Sequence, residues 1–169
     1  MHVQLRRLYL LLSLVPTLAL HAAGVSFAPD GWLVGTEFPG KPQIATTRDA
    51  GVTQTVATFD AGPSSFIAIR VQLVAEVPKD RVASTYDLGR DSMLLSMDAQ
   101  LVREEKITIA GHEGRKYLIE AKSKQHRAET HVVVIGNELY SFSFATNDAL
   151  TQPVAVTFFK KMKAVGKGR

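Results

Sequence analysis

The sequence predicts an α+β fold in which a central antiparallel β-sheet is covered by helices. The plainest evidence is the stretch ETHVVVIGNELYSFSFA at residues 129–145, where two β-rich runs flank Gly136-Asn137 in the pattern of a β-hairpin. Further paired β-rich runs precede it, and an amphipathic segment closes the chain. Within the hairpin, Tyr140, Phe142 and Phe144 project to one side, and Leu139, Ser141, Ser143 and Ala145 to the other. Val133 and Ile135 alternate with Val132 and Val134 on the partner run, so both faces of the hairpin need cover. Gly136 and Asn137 are both expected at positive φ.

The N-terminus reads as a targeting segment. Arg6 and Arg7 precede the apolar run 8–20, and Ala22, Ala23 and Gly24 follow, which is the charged, apolar and small-residue order of a secretory signal. The run is nearer the length of a signal core than the roughly 20 residues of a spanning helix. The expected organisation is a signal peptide at 1–24 and one domain over 25–169, periplasmic or secreted, with no integral membrane segment after cleavage. The chain has no cysteine, which excludes a disulfide framework and a lipid-modified N-terminal cysteine, so packing must hold the fold. Residues 25–169 carry 18 Lys and Arg against 16 Asp and Glu, a formal charge of +2, and so give no warrant for a nucleic-acid partner.

In chain order, residues 25–42 hold Trp32, Phe38 and the bend Pro39-Gly40-Lys41-Pro42, read as a short strand or extended arm with Trp32 at the core edge. Residues 51–61 favour a strand, and Gly62-Pro63-Ser64-Ser65 turns into a second at 66–77. There the parity of Ile67, Ile69, Val71 and Leu73 is expected to be better buried than that of Phe66, Ala68 and Arg70. Pro78 closes this strand. Val82, Tyr86, Met93, Leu94 and Met97 then predict a helix over 80–97 with a weak middle at Gly89 and Arg90. Residues 101–109 and 116–121 form another hairpin around Gly111-His112-Glu113-Gly114, and Lys122, Lys124 and Arg127 fall in a solvated connection. The last helix starts near Thr151 with Pro153 in its first turn. Its stripe of Val154, Ala155, Phe158, Phe159, Met162 and Val165 should dock on the sheet, with Lys160, Lys161 and Lys163 toward its C-terminal end.

This order of elements resembles the PsbP-like α/β/α superfamily. The residues that carry the resemblance are Phe38-Pro39-Gly40-Lys41-Pro42, Ile109-Ala110-Gly111-His112-Glu113-Gly114-Arg115, Gly136-Asn137-Glu138-Leu139-Tyr140 and Phe158-Phe159-Lys160-Lys161. They are similar to exported bacterial proteins of that type over residues 32–165. The resemblance implies an α/β/α sandwich and a noncatalytic role in binding or stabilising other proteins, with no catalytic residue to carry over.

The residues supply no catalytic, cofactor-binding or metal-ligating set. His112, Glu113, His126, Glu129 and His131 have the right chemistry for a metal, but His112-Glu113 lacks a second histidine four residues on and sits in a glycine turn. Glu129 and His131 share a strand face as an ordinary surface pair. No serine lies in a nucleophile elbow, Ser64 and Ser65 read as turn residues, and the glycines form neither a phosphate loop nor a dinucleotide fingerprint. The Tyr140, Phe142, Phe144 stripe fits a surface on which the last helix packs better than the wall of an apolar pocket. The leading expectation is therefore an exported, noncatalytic binding or accessory module acting on another protein or an envelope component. The rival is a carrier of a small apolar ligand or lipid, and a hydrolase without a recognisable motif comes third. A closed helix–sheet interface would favour the first reading and an apolar cavity of several hundred Å³ the second.

Overall fold

In the computed structural model, which describes residues 24–123, 125–147 and 153–165, the chain forms ten strands and two helices, an α+β arrangement dominated by antiparallel sheet. The signal segment lies outside the described residues apart from Gly24. The order is β1 (Val25–Phe27), β2 (Val34–Phe38), β3 (Gln43–Asp49), β4 (Val52–Ala61), β5 (Ser64–Gln72), a single 3-10 turn, then α1 (Val82–Ser96). β6 (Ala99–Ile109), β7 (His112–Ala121), β8 (Arg127–Ile135), β9 (Glu138–Thr146), α2 (Pro153–Lys160) and β10 (Lys163–Ala164) follow. Seven strands form one sheet in the order β3-β4-β5-β9-β8-β7-β6, with β9 at its middle, and β1-β2-β10 form a second, smaller sheet.

Tight turns fix the registers of the large sheet. Ala50-Gly51 and Ala110-Gly111 both carry positive φ at each position, as type I′ hairpins require. The second of these replaces the expected turn at 111–114, because His112 and Glu113 are already paired in β7. At the β8–β9 turn only Gly136 is left-handed, at φ 61°, so the expectation of positive φ at Asn137 fails: one left-handed residue in the first position is the type II′ pattern. Asn137 instead clamps the chain that enters α1, its amide donating to the Leu73 carbonyl at 3.0 Å and its carbonyl accepting from Leu73 N–H at 2.8 Å.

Both faces of the sheet are covered, by different elements. On the aromatic face, Tyr140, Phe142 and Phe144 of β9 meet Phe66 and Ala68 of β5, Val133 of β8 and Phe158 of α2, while β1–β2 add Phe27, Trp32, Val34 and Phe38. Phe66 and Ala68 are fully buried and Ile67, Ile69 and Val71 only half-buried, which reverses the expected parity of β5. The cause is cover: α2 and the small sheet seal the aromatic face, whereas α1 lies beside β6 and β7 and leaves the β4–β5 side of the opposite face open. α1 runs unbroken through Gly89 and Arg90 and stops where Asp98 turns left-handed, at φ 45°. α2 ends at Lys160, so the helix does not reach Lys161, Met162, Lys163 and Val165 as expected. Lys163–Ala164 pairs with β2 instead, and Val165 N–H donates to the Leu33 carbonyl at 2.9 Å.

Candidate functional site

The site grows from the two parities of β9. On the face opposite its aromatics, β9 presents Leu139, Ser141, Ser143 and Ala145, three of them too short to span the gap to a helix packed above. The register places Val71, Ile69 and Ile67 of β5 beside Leu139, Ser141 and Ser143 on one side. Val134, Val132 and Thr130 of β8 flank the same residues on the other. This serine face is the floor. Its roof is α1, pinned at one edge by Tyr86, whose hydroxyl donates to the Glu113 carbonyl at 2.7 Å and accepts from Val134 N–H at 3.1 Å. Met93 and Leu94 of α1 pack on the same side, next to Tyr117 of β7 and Val132. Between roof and floor lies a cavity of about 510 Å³ whose walls include Ile67, Ile69, Met93, Val132 and Leu139.

Its polar groups are few. Thr130 and Ser143 hydroxyls bond each other at 2.9 Å, and Thr130 also reaches the Met93 sulfur at 3.8 Å. The Ser141 hydroxyl faces the cavity with no protein partner among the described residues. Burial pushes the phenols of Tyr86 and Tyr117 upward, so both keep their protons at neutral pH. Among the described residues the one charged side chain in the wall is Arg90, which ion-pairs with Asp91 at 2.9 Å, Glu104 at 2.9 Å and Asp87 at 3.0 Å. Chemically the space can hold an apolar body and offer it one or two hydroxyls. Among the described residues its wall shows no pairing of a nucleophile with a base.

A second cleft, of about 640 Å³, lies between residues 28–33 and the β8–β9 turn. Asp30, Asn137 and Glu138 wall it, and it lacks the apolar floor and roof of the first.

The residues singled out from the sequence lie elsewhere. Glu129 and His131 share the aromatic face and hydrogen-bond at 2.7 Å, with Lys116 at 3.5 Å from Glu129 and Phe159 stacked on the His131 ring at 4.0 Å. His112 is exposed, Glu113 pairs with Arg115 and Lys106, and His126 contacts Asn147. Among the described residues no three of these chemistries converge. Ser64 starts β5, buried, and donates to Thr146, while Ser65 donates to Asp60 at 2.6 Å. The aromatic stripe was expected to receive the last helix, with an apolar pocket on it as the alternative. That stripe is core, and the cavity opens behind it, where the small residues of β9 were the available signal.

The Glu129 pair makes a checkable prediction. Burial alone would push the Glu129 carboxyl up, but the His131 hydrogen bond and the charges of His131 and Lys116 outweigh it and hold the group below its usual 4.5. A depressed carboxylate stabilises the fold fully above its unfolded value and loses that contribution as pH falls through the folded value. Glu129→Gln should therefore flatten the decline of Tm below about pH 4.5, with the pH–Tm profile of parent and variant as the measurement.

No family model and no curated protein matches the chain. Among solved structures it is similar to a crystal structure from Bacteroides thetaiotaomicron VPI-5482, at 13% sequence identity and a TM-score of 0.46 over 86% of this chain. The chain spans 50% of that structure's length. Among the described residues no helix is long and apolar enough to cross a membrane.

Proposed function

We propose that this chain is an exported, noncatalytic binding module of the PsbP-like α/β/α sandwich type that holds a small apolar ligand or lipid chain between α1 and the serine face of its sheet. The cavity of about 510 Å³ carries the reading. Ligand pockets run from about 300 to 1,000 Å³, are mostly apolar and hold a few placed polar groups, and this space has each of those properties. A closed interface would have favoured a module acting on another protein. Export rests on Arg6, Arg7 and the apolar run 8–20, and the near-balanced charge of residues 25–169 speaks against nucleic acid as the partner.

One observation favours the accessory reading as a second function. β3 is an edge strand exposed along its whole length, without proline, lysine or bulge, whereas the other edge, β6, carries a register shift at Leu101/Arg103 and a charged run. Such an open edge can take an added strand from a partner.

The test is uptake of the neutral fluorophore N-phenylnaphthylamine by the purified protein. Parent protein should bind it, and Ser141→Leu, which fills the floor, should lose most binding while keeping its Tm. No uptake by the parent, or undiminished uptake by the variant, overturns the carrier reading. Export is checked separately: N-terminal sequencing should find a start between Ala22 and Phe27, and a cytoplasmic chain beginning at Met1 overturns it.

A further inference from the structure

We infer that the cavity selects an uncharged single-chain amphiphile bearing a hydroxyl head and rejects fatty carboxylates. The inference rests on the carrier reading above and adds the class of ligand. Charge supplies the first argument. Binding a carboxylate in a half-enclosed apolar space requires a cation to offset its lost hydration. Among the described residues the only cation in the wall, Arg90, already meets Asp87, Asp91 and Glu104, and Glu104 is shared with Arg115 at 3.4 Å. Counting outward, Arg115 and Lys106 also share Glu113, so three cations face four carboxylates. A fatty acid head at that rim meets net negative charge. On the open side, the serine face of β4 and β5 offers Gln54, Val56, Thr58, Ile67, Ile69 and Val71, none of them cationic.

The second argument is the Ser141 hydroxyl, set in an apolar floor with its hydrogen-bonding capacity unused by the described residues. Its neighbours Ser143 and Thr130 satisfy each other, so Ser141 is the floor hydroxyl left to bind a ligand hydroxyl; Ser92 of α1 and Gln54 of β4 are the other wall side chains with no hydrogen-bond partner among the described residues. Volume gives the third argument. At about 30 Å³ for a group the size of water, the cavity of about 510 Å³ takes on the order of 17 such groups, enough to seat one alkyl chain between roof and floor.

Dodecanol, dodecanoate at a pH where it is ionised, and dodecyltrimethylammonium, each below its aggregation concentration, are the probes, read by displacement of N-phenylnaphthylamine from the purified protein. Dodecanol should displace it at a concentration about tenfold or more below dodecanoate. Ser141→Ala should weaken dodecanol several-fold more than it weakens the fluorophore. Asp87→Asn combined with Asp91→Asn leaves Arg90 with Glu104 as its remaining acidic partner and should tighten dodecanoate several-fold with dodecanol unmoved; both aspartates are well exposed, at 56% and 63%, so the fold tolerates the change. Fluorophore uptake with dodecanoate or the ammonium bound as well as or better than dodecanol overturns the head-group assignment alone. A parent that takes up neither fluorophore nor dodecanol overturns the carrier reading with it.

Discussion

Phe158→Ala should lower the free energy of unfolding by about 3 to 5 kcal/mol, the range for truncating a fully buried aromatic ring. The ring is 0% exposed and stands edge-on to Phe38 and Phe66 at 5.3 Å and to Phe142 at 6.3 Å, so it joins α2, β2, β5 and β9 in one contact. The backbone beside it is fixed as well, since the Thr36 hydroxyl donates to the Phe158 carbonyl at 2.6 Å. That leaves a truncated site little freedom to collapse, which places the cost toward the upper part of the range. Against a typical stability of about 5 to 15 kcal/mol the loss is large enough to bring a small domain near its limit. Lys160→Gln, at the C-terminal end of the same helix and exposed, should cost at most about 1 kcal/mol, because it gives up only a screened helix-dipole interaction. Denaturant melts of the two variants decide the matter. Equal stability of parent and Phe158→Ala would mean that α2 does not seal the aromatic face.

The second large effect is expected at the sheet's polar corner. Glu138 takes a salt bridge from Arg70 and a hydrogen bond from the Tyr140 hydroxyl, which in turn accepts from Leu33 N–H at 2.8 Å. Burial and the Glu138 hydrogen bond push the Tyr140 phenol up, so it keeps the proton it donates. The Arg70 and Glu138 side chains are only 16% and 9% exposed, so removing one charge strands the other in a poorly hydrated place. Glu138→Leu should cost about 3 kcal/mol, the lower end for breaking a buried pair, since the guanidinium keeps some contact with water. Arg70→Met together with Glu138→Leu should recover much of that loss, because no unpaired charge remains. A double variant less stable than Glu138→Leu alone would show that the pair stabilises the fold by itself.

The sequence made legible those elements whose side chains alternate strongly. β8 and β9 declared themselves through heavy residues at every second place around a glycine turn, and α1 through its spacing of Val82, Tyr86, Met93 and Leu94. β3 escaped because it is exposed on both faces: Ile44, Ala45, Thr46 and Thr47 show no buried parity, and pairing with β4 holds the strand in place. The end of α2 was overrun because Met162 and Val165 prolong a helical spacing, while the backbone leaves the helix to pair with the edge of β2. The cavity was hidden for a different reason. Ser141, Ser143 and Ala145 leave space only once α1 is set over β6 and β7, and nothing local to β9 states where that helix lies.

The division of β9 between its two faces bears on how this protein can change over time. A strand of period two lets nine residues answer separately to two demands, with Tyr140, Phe142 and Phe144 packing the core while Ser141, Ser143 and Ala145 shape the cavity behind it. Side chains of β9 that point to opposite faces pack in separate clusters, and where they also lie more than about 7 to 10 Å apart their mutational free energies add to within about 0.5 kcal/mol. Enlarging, shrinking or rehydrating the cavity therefore draws little on the stability supplied by the other side. Related chains built on this plan are free to change the shape of the cavity at the serine positions while the aromatic positions stay put.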